Sequence, residues 1–149
     1  MFFKKKILTD TQKLSLIDAV SDMLAIQLDA VRTMIERKMV TCKSSIEDVH
    51  GRINRRAIGY IYGFIDSALQ SSGQDMSDPS VGVATIYHVM RRLFPGREDT
   101  YTQFLIKNAR DKSVMAGMMA GGQQFAEYSK PRHKGAPMGL ARFIIEGDR

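Results

Sequence analysis

The histidines and the paired acids are the residues of this chain whose types suit catalysis or metal binding. His50, His88 and His133 fall on three different segments, and none has a second ligand four residues away or a carboxylate at the spacing of a metal site. The adjacent acids at 47–48 and 98–99 both lie in the first turn of a predicted helix, where the helix dipole stabilises negative charge. These residues therefore predict neither a metal site nor acid–base catalysis.

Residues 115–125, MAGMMAGGQQF, contain three glycines and raise the question of a phosphate loop. Such a loop presents backbone N–H groups just before a helix, together with a lysine and a hydroxyl at fixed spacing. The stretch has neither and lies inside a helical pattern, so we expect no phosphate site. The chain also lacks a Gly-x-Ser-x-Gly elbow and a dinucleotide fingerprint. We therefore predict that the protein is not an enzyme and uses no cofactor.

Two pairs of glycines, each four residues apart, indicate close helix packing instead. Gly117 and Gly121 lie in the stretch above, and Gly59 and Gly63 lie on an earlier predicted helix. A strip without side chains lets another backbone approach closely, which offsets the roughly 1 kcal/mol that each interior glycine costs relative to alanine. The two helices pack on each other within the chain, or each packs on its copy in a second chain, or the spacing has no special role.

Methionines cluster beside the second pair of glycines, at Met115, Met118 and Met119. Flexible thioethers line adaptable grooves for apolar partners, but they also fill gaps in ordinary cores. Together with the glycines, they favour a helix that takes part in protein–protein contact.

The string VGVATIYHVMRRL, residues 81–93, resembles the recognition helix of helix-turn-helix and winged-helix regulators. The resemblance implies that Thr85 and His88 face a DNA groove and that Arg91 and Arg92 hold the phosphate backbone. The turn before this helix is longer than the three or four residues that the motif requires. In the other interpretation, the apolar residues of the helix face the core and the arginines are solvated.

The segment 128–142 carries four Lys or Arg side chains and no acid, in a chain with a net charge of +6 and a pI near 9.6. Lys130, Arg132 and Lys134 are therefore candidates for neutralising phosphates of a nucleic acid. At the other end, Phe2, Phe3 and the lysines at 4–6 could touch an anionic membrane surface, with only marginal, reversible attachment.

Helical periodicity and capping chemistry predict the elements that carry these residues. One capping box begins a first helix at about 10–39, and a second box, from Ser44 to Glu47, begins a helix at about 46–71. An aspartate followed by proline begins a third helix over 79–93.

In the remaining third of the chain, the helical pattern ends near residue 128. From residue 98 to that point the pattern predicts one bent helix or two consecutive helices. Prolines and glycines then disfavour regular structure until an apolar patch at 140–145, which could dock on a neighbour. We therefore predict an all-α fold, a single compact bundle of about five helices over 1–129, with an irregular basic C-terminal tail over 130–149.

Length and composition place the chain in an ordinary class. At 149 residues, with 44% hydrophobic and 26% charged residues, it suits one globular domain. No apolar run approaches the ~20 residues that span a bilayer, the start MFFKKKILTD lacks the apolar stretch of a secretory signal, and the single cysteine, Cys42, cannot form an internal disulfide. We expect a cytoplasmic protein without integral membrane association.

Two functional hypotheses follow from these patterns. The first is a non-enzymatic helical protein that binds other protein, as a homo-oligomer or with a different partner, through the glycine and methionine helix. The alternative is a nucleic-acid-binding regulator that uses the helix at 79–93 and the basic tail.

Overall fold

The structure is a computed structural model that describes residues 9–39, 46–73, 78–130 and 137–147. These residues form six α-helices and no strand, which confirms the predicted all-α bundle. The helices are α1 (Asp10–Glu36), α2 (Arg55–Ser71), α3 (Pro79–Leu93), α4 (Glu98–Lys107), α5 (Lys112–Tyr128) and α6 (Gly139–Glu146).

The first helix begins where its capping box predicts and ends slightly early. The Thr9 side chain accepts a hydrogen bond from the Gln12 backbone N–H at 3.1 Å, and the Gln12 side chain accepts one from the Thr9 N–H at 2.9 Å. Lys38 adopts a φ of 57°, in the left-handed region. A right-handed helix cannot continue through that conformation, so α1 ends at Glu36 and not at residue 39.

The predicted start of the second helix is wrong. Glu47 and Ile53 form an isolated antiparallel bridge, and between them Asp48 accepts two backbone hydrogen bonds of 2.9 Å within a turn. The helix begins only after Asn54, whose side chain accepts from the Ala57 N–H at 3.0 Å. An aspartate that bonds its own local backbone competes with helix formation, which explains why residues 46–54 are not helical. Ser44 lies outside the described residues.

Capping aspartates begin α3 and α5, whereas α4 has no side-chain cap. α3 has the predicted bounds, and Asp78 caps it by accepting from the Ser80 N–H at 3.0 Å. The segment from 98 to 128 is two helices rather than one bent helix. Asp111 begins the second of them by accepting from the Ser113 and Val114 N–H groups at 2.9 and 3.2 Å.

α2 lies at the centre of the bundle and is buried on almost every side from Ala57 to Leu69. It contacts α1, α4, α5 and α6. A helix that buries ten of its residues needs neighbours on most of its sides, so the rest of the fold is arranged around α2.

The apolar patch at the end of the chain is the sixth helix, and it docks on its own chain. Leu140, Ala141, Phe143 and Ile144 are buried against α1 and α2. The sequence patterns group these residues with an irregular tail, whereas the structure makes them part of the core. An amphipathic segment of eight residues is too short to be helical alone, so packing accounts for its helical state.

Three amide side chains from other parts of the chain hold α6. The Gln27 carbonyl oxygen accepts from the N–H groups of Leu140 at 2.9 Å and Ala141 at 3.3 Å. Gln124 accepts from the Gly139 N–H at 2.7 Å, and the Asn54 amide donates to the Phe143 carbonyl at 2.8 Å. The two glutamines satisfy the first N–H groups of a helix that has no side-chain cap of its own, and Asn54 satisfies a carbonyl near its other end.

We expect Gln27→Met to lower the free energy of unfolding by about 1–3 kcal/mol, because it leaves buried N–H groups of α6 without an acceptor. Urea denaturation measures this change, and amide hydrogen exchange at Leu140 and Ala141 should accelerate with it. The matched control is Gln103→Met on the exposed face of α4, which should change stability by less than about 0.5 kcal/mol. Equal stabilities for the two variants would contradict the capping role.

Candidate interaction surfaces

The four glycines of the two strips face each other where α2 meets α5. A Cβ atom added at Gly59 would lie 2.9 Å from the Val114 carbonyl carbon, and one at Gly117 would lie 2.9 Å from the Arg56 carbonyl carbon. At Gly63 the corresponding distance to the Met118 carbonyl carbon is 2.6 Å. These distances are shorter than real Cβ contacts, so only glycine permits this approach. We refer to this contact as the glycine seam.

The glycine seam buries both pairs of glycines inside one chain. Gly59, Gly63, Gly117 and Gly121 are all buried by the opposing helix. They are therefore not available to a second copy, and any interface on α5 must use its other side.

The other side of α5 is exposed and carries charge only at its two ends, at Lys112 and Glu127. Met115, Ala116, Met119, Gln123 and Ala126 point outward, and Met119 is 66% exposed. No charged residue occurs between Lys112 and Glu127. We call these five residues the outer face of α5. A solvent-facing helix surface usually carries charged side chains, so this composition is unusual for a face in contact with water.

Met118 lies between the glycine seam and the outer face. It is half-buried and packs against the hydrophobic core. Of the two roles that the sequence left open for the methionines, Met118 therefore fills the core edge, while Met115 and Met119 remain at the surface.

On α3, Thr85 and His88, which the resemblance to a recognition helix would direct toward DNA, contact other residues of the same chain. Thr85 is buried and donates to the Val81 carbonyl at 2.8 Å. The His88 Nε2 lies 3.1 Å from the Asp18 carboxylate of α1. Two of the candidate groove-reading side chains thus face other parts of the bundle.

The two arginines at the end of α3 differ in their surroundings. Arg92 lies 3.3 Å from the Asp18 carboxylate and 2.8 Å from that of Asp22, both on α1. Arg91 is exposed. Of the basic tail, Lys130 is exposed at the end of α5, whereas Arg132 and Lys134 lie outside the described residues.

Tyr60 and Gln124 form a buried polar contact that the sequence analysis missed. The Tyr60 hydroxyl, on α2, donates to the Gln124 side chain of α5, which also holds α6. Burial raises the pKa of Tyr60 to about 12. The signal that could have revealed such contacts is a glutamine on an apolar stripe, as Gln27 lies on the stripe of Leu24 and Val31.

The described residues form neither a metal site nor a membrane-spanning helix. Within the described ranges, no cluster of three or more His, Cys, Asp or Glu side chains could hold a metal ion. In the same part of the chain, no helix combines the length and apolarity needed to cross a membrane. A scan against protein-family models and searches of the curated proteins and the solved structures found no match for this chain.

Gly121→Ala should destabilise the protein by about 1–3 kcal/mol, because the new Cβ would meet the Phe64 backbone nitrogen at 2.8 Å and force the helices apart. The adjacent Gly122→Ala is the control, since its Cβ would meet nothing closer than 3.7 Å. That variant should gain up to about 1 kcal/mol from helix propensity. Chemical denaturation of both variants measures the difference, and equal effects would show that the seam tolerates a side chain.

Tyr60 should make stability fall at high pH. Its pKa is raised from 10.0 to about 12 in the folded state, so the stabilisation is complete below pH 10 and is lost as the pH rises toward 12. Denaturation between pH 9 and about 12 should show this loss in the wild type, and absorbance titration should show two late tyrosines, since burial also raises the pKa of Tyr62. In Tyr60→Phe the loss of stability should be smaller, and one of the two late tyrosines should disappear. An unchanged pH dependence in that variant would assign the loss to other groups.

Proposed function

We propose that this protein acts by protein–protein contact and that it self-associates through the outer face of α5. The observation that carries the proposal is an exposed helix face that has no charge between Lys112 and Glu127, on a chain whose net charge is +6. Two copies of a basic protein repel each other over most of their surfaces. A face without charge is the place where they can meet without bringing like charges together.

The chemistry of the face also suits a symmetric contact. In a twofold dimer, each surface patch packs against the same patch of the partner, so the patch must be complementary to itself. Met115 and Met119 provide flexible apolar groups, and Ala116 between them leaves room for a side chain of the opposite helix. Burying one methionine side chain contributes roughly 1.5–3 kcal/mol, so a few such groups on each copy support association.

The proposal also includes the class of protein, its location and its lack of a cofactor. It is a non-enzymatic cytoplasmic protein without a cofactor, whose activity consists of holding another protein or a second copy of itself. Methionine-rich surfaces adapt to different partners, so the outer face of α5 would also accept a heterologous helix of similar apolar character.

Nucleic-acid binding through α3 and the basic tail is the alternative, and it has less support. The pairs of Arg92 with Asp18 and Asp22 would have to break before that guanidinium could bind a phosphate. Thr85 is buried, so it offers no hydroxyl to a base. Arg91, Arg92 and Lys130 are the exposed cations of this set among the described residues, and Arg92 is the one paired with Asp18 and Asp22.

Sedimentation of the purified chain tests self-association. We expect a dimer at tens of micromolar, and we expect Met119→Lys to shift the mass to that of the monomer, because each copy would then place a charge at the contact. The control is Ile26→Lys on α1, since Ile26 is as exposed, at 64%, as Met119. It should remain dimeric. A wild-type protein that is monomeric at every concentration, or a Met119→Lys variant that stays dimeric, would reject the proposed interface.

A further inference from the structure

A groove of about 400 Å³ opens between α2, α3, α4 and α5. Its volume lies within the range of small-molecule sites, which is roughly 300–1,000 Å³. The residues that line it are uncharged throughout, and those that matter here are Tyr62, Val83, Ile86, Thr102, Leu105 and Met118.

Thr102 gives the groove an unusual polar feature. The residue is only 4% exposed, and its hydroxyl oxygen has no hydrogen-bond partner in the described part of the chain. Thr85 on α3 shows the usual solution, since its hydroxyl donates to the carbonyl one turn earlier. The Thr102 hydroxyl does not do this, so it retains the capacity to bond a group that enters the groove. Buried polar groups without a partner are rare in folded proteins, and a ligand in the groove would explain the one at Thr102.

The lining also restricts the charge of a ligand. An ionised ligand would lose its hydration without meeting an opposite charge, which is strongly unfavourable. Tyr62 does not supply a charge either, because burial and the nearby Asp66 carboxylate raise the pKa of its phenol. A neutral ligand avoids this cost, and its apolar part would contact Val83, Ile86 and Met118.

We propose that this groove is a binding site for a small neutral molecule that has an apolar ring or chain and one hydroxyl or carbonyl group, which bonds to the Thr102 hydroxyl. The site is separate from the outer face of α5. Met118 lines the groove, whereas Met115 and Met119 face away from the seam on the exposed side of the helix.

Three probes that share one ring system test the proposal: naphthalene, 2-naphthol and 2-naphthoate. The chain contains no tryptophan, so naphthyl fluorescence can be followed without that background. We expect 2-naphthol to bind the full-length protein and to shift the Met118 methyl resonance in a spectrum of methyl-labelled methionines. The anionic 2-naphthoate should bind several-fold more weakly than 2-naphthol.

The decisive variant is Thr102→Val, which removes the hydroxyl and keeps the shape of the side chain. It should weaken 2-naphthol roughly fivefold, the value of one neutral hydrogen bond, and leave naphthalene unchanged. It should melt no lower than the wild type, because it replaces an unpartnered hydroxyl with a methyl group. Equal affinities of the wild type and Thr102→Val for 2-naphthol would overturn the assigned role of Thr102.

A pair of charge substitutions on α3 locates the site. Val83 lines the groove and Val81 does not, although the two residues are similarly exposed, at 42% and 48%. Val83→Asp should abolish binding of both uncharged probes, and Val81→Asp should preserve it. The proposal is rejected if neither uncharged probe binds the wild type, or if the two aspartate variants bind equally well.

Discussion

The contact between the backbones of α2 and α5 is the constraint on which the rest of the structure depends. Because glycines occupy both sides of the seam, the helices approach until backbone atoms of one touch the other, and no other residue type fits at Gly59, Gly63 or Gly117. Dispersion contacts between closely packed atoms offset the low helix propensity of these glycines. The bulky residues of α2, such as Tyr60 and Phe64, are then free to fill the core around it.

The amide side chains around α6 fix the position of the last helix, and they depend on the glycine seam. Gln124 projects from α5 and Gln27 from α1, and together they accept the first N–H groups of α6. Their geometry depends on α5 lying close to α2, since Tyr60 of α2 donates to the same Gln124 side chain. A buried N–H group without an acceptor is costly, so these side chains select one position for the last helix.

The same arrangement leaves the outer face of α5 at the surface. One side of α5 must be made of glycine to meet α2, and the opposite side carries methionine and alanine instead of the charges that would make it a solvated helix. α3 does carry charge on its surface, at Arg92. Asp18 and Asp22 of α1 neutralise this guanidinium, which the sequence alone would offer to an anion. Charge pairing between helices therefore satisfies the Arg92 guanidinium within the chain.

The sequence by itself determined the features that depend on neighbours within about four residues. The capping residues Thr9 and Asp78, the helical periodicity and the glycine spacing predict the all-α class and most of the helix starts, because these interactions are made within a single turn. Only the tertiary structure decided the helical state of α6 and the direction in which Thr85 and Arg92 point. The late start of α2 depends on local contacts, the Asp48 turn and the bridge between Glu47 and Ile53, which compete with the predicted capping box. α6 and α3 depend on partners more than 60 residues away, Gln27 for one and Asp18 for the other, and no local pattern records such distant contacts.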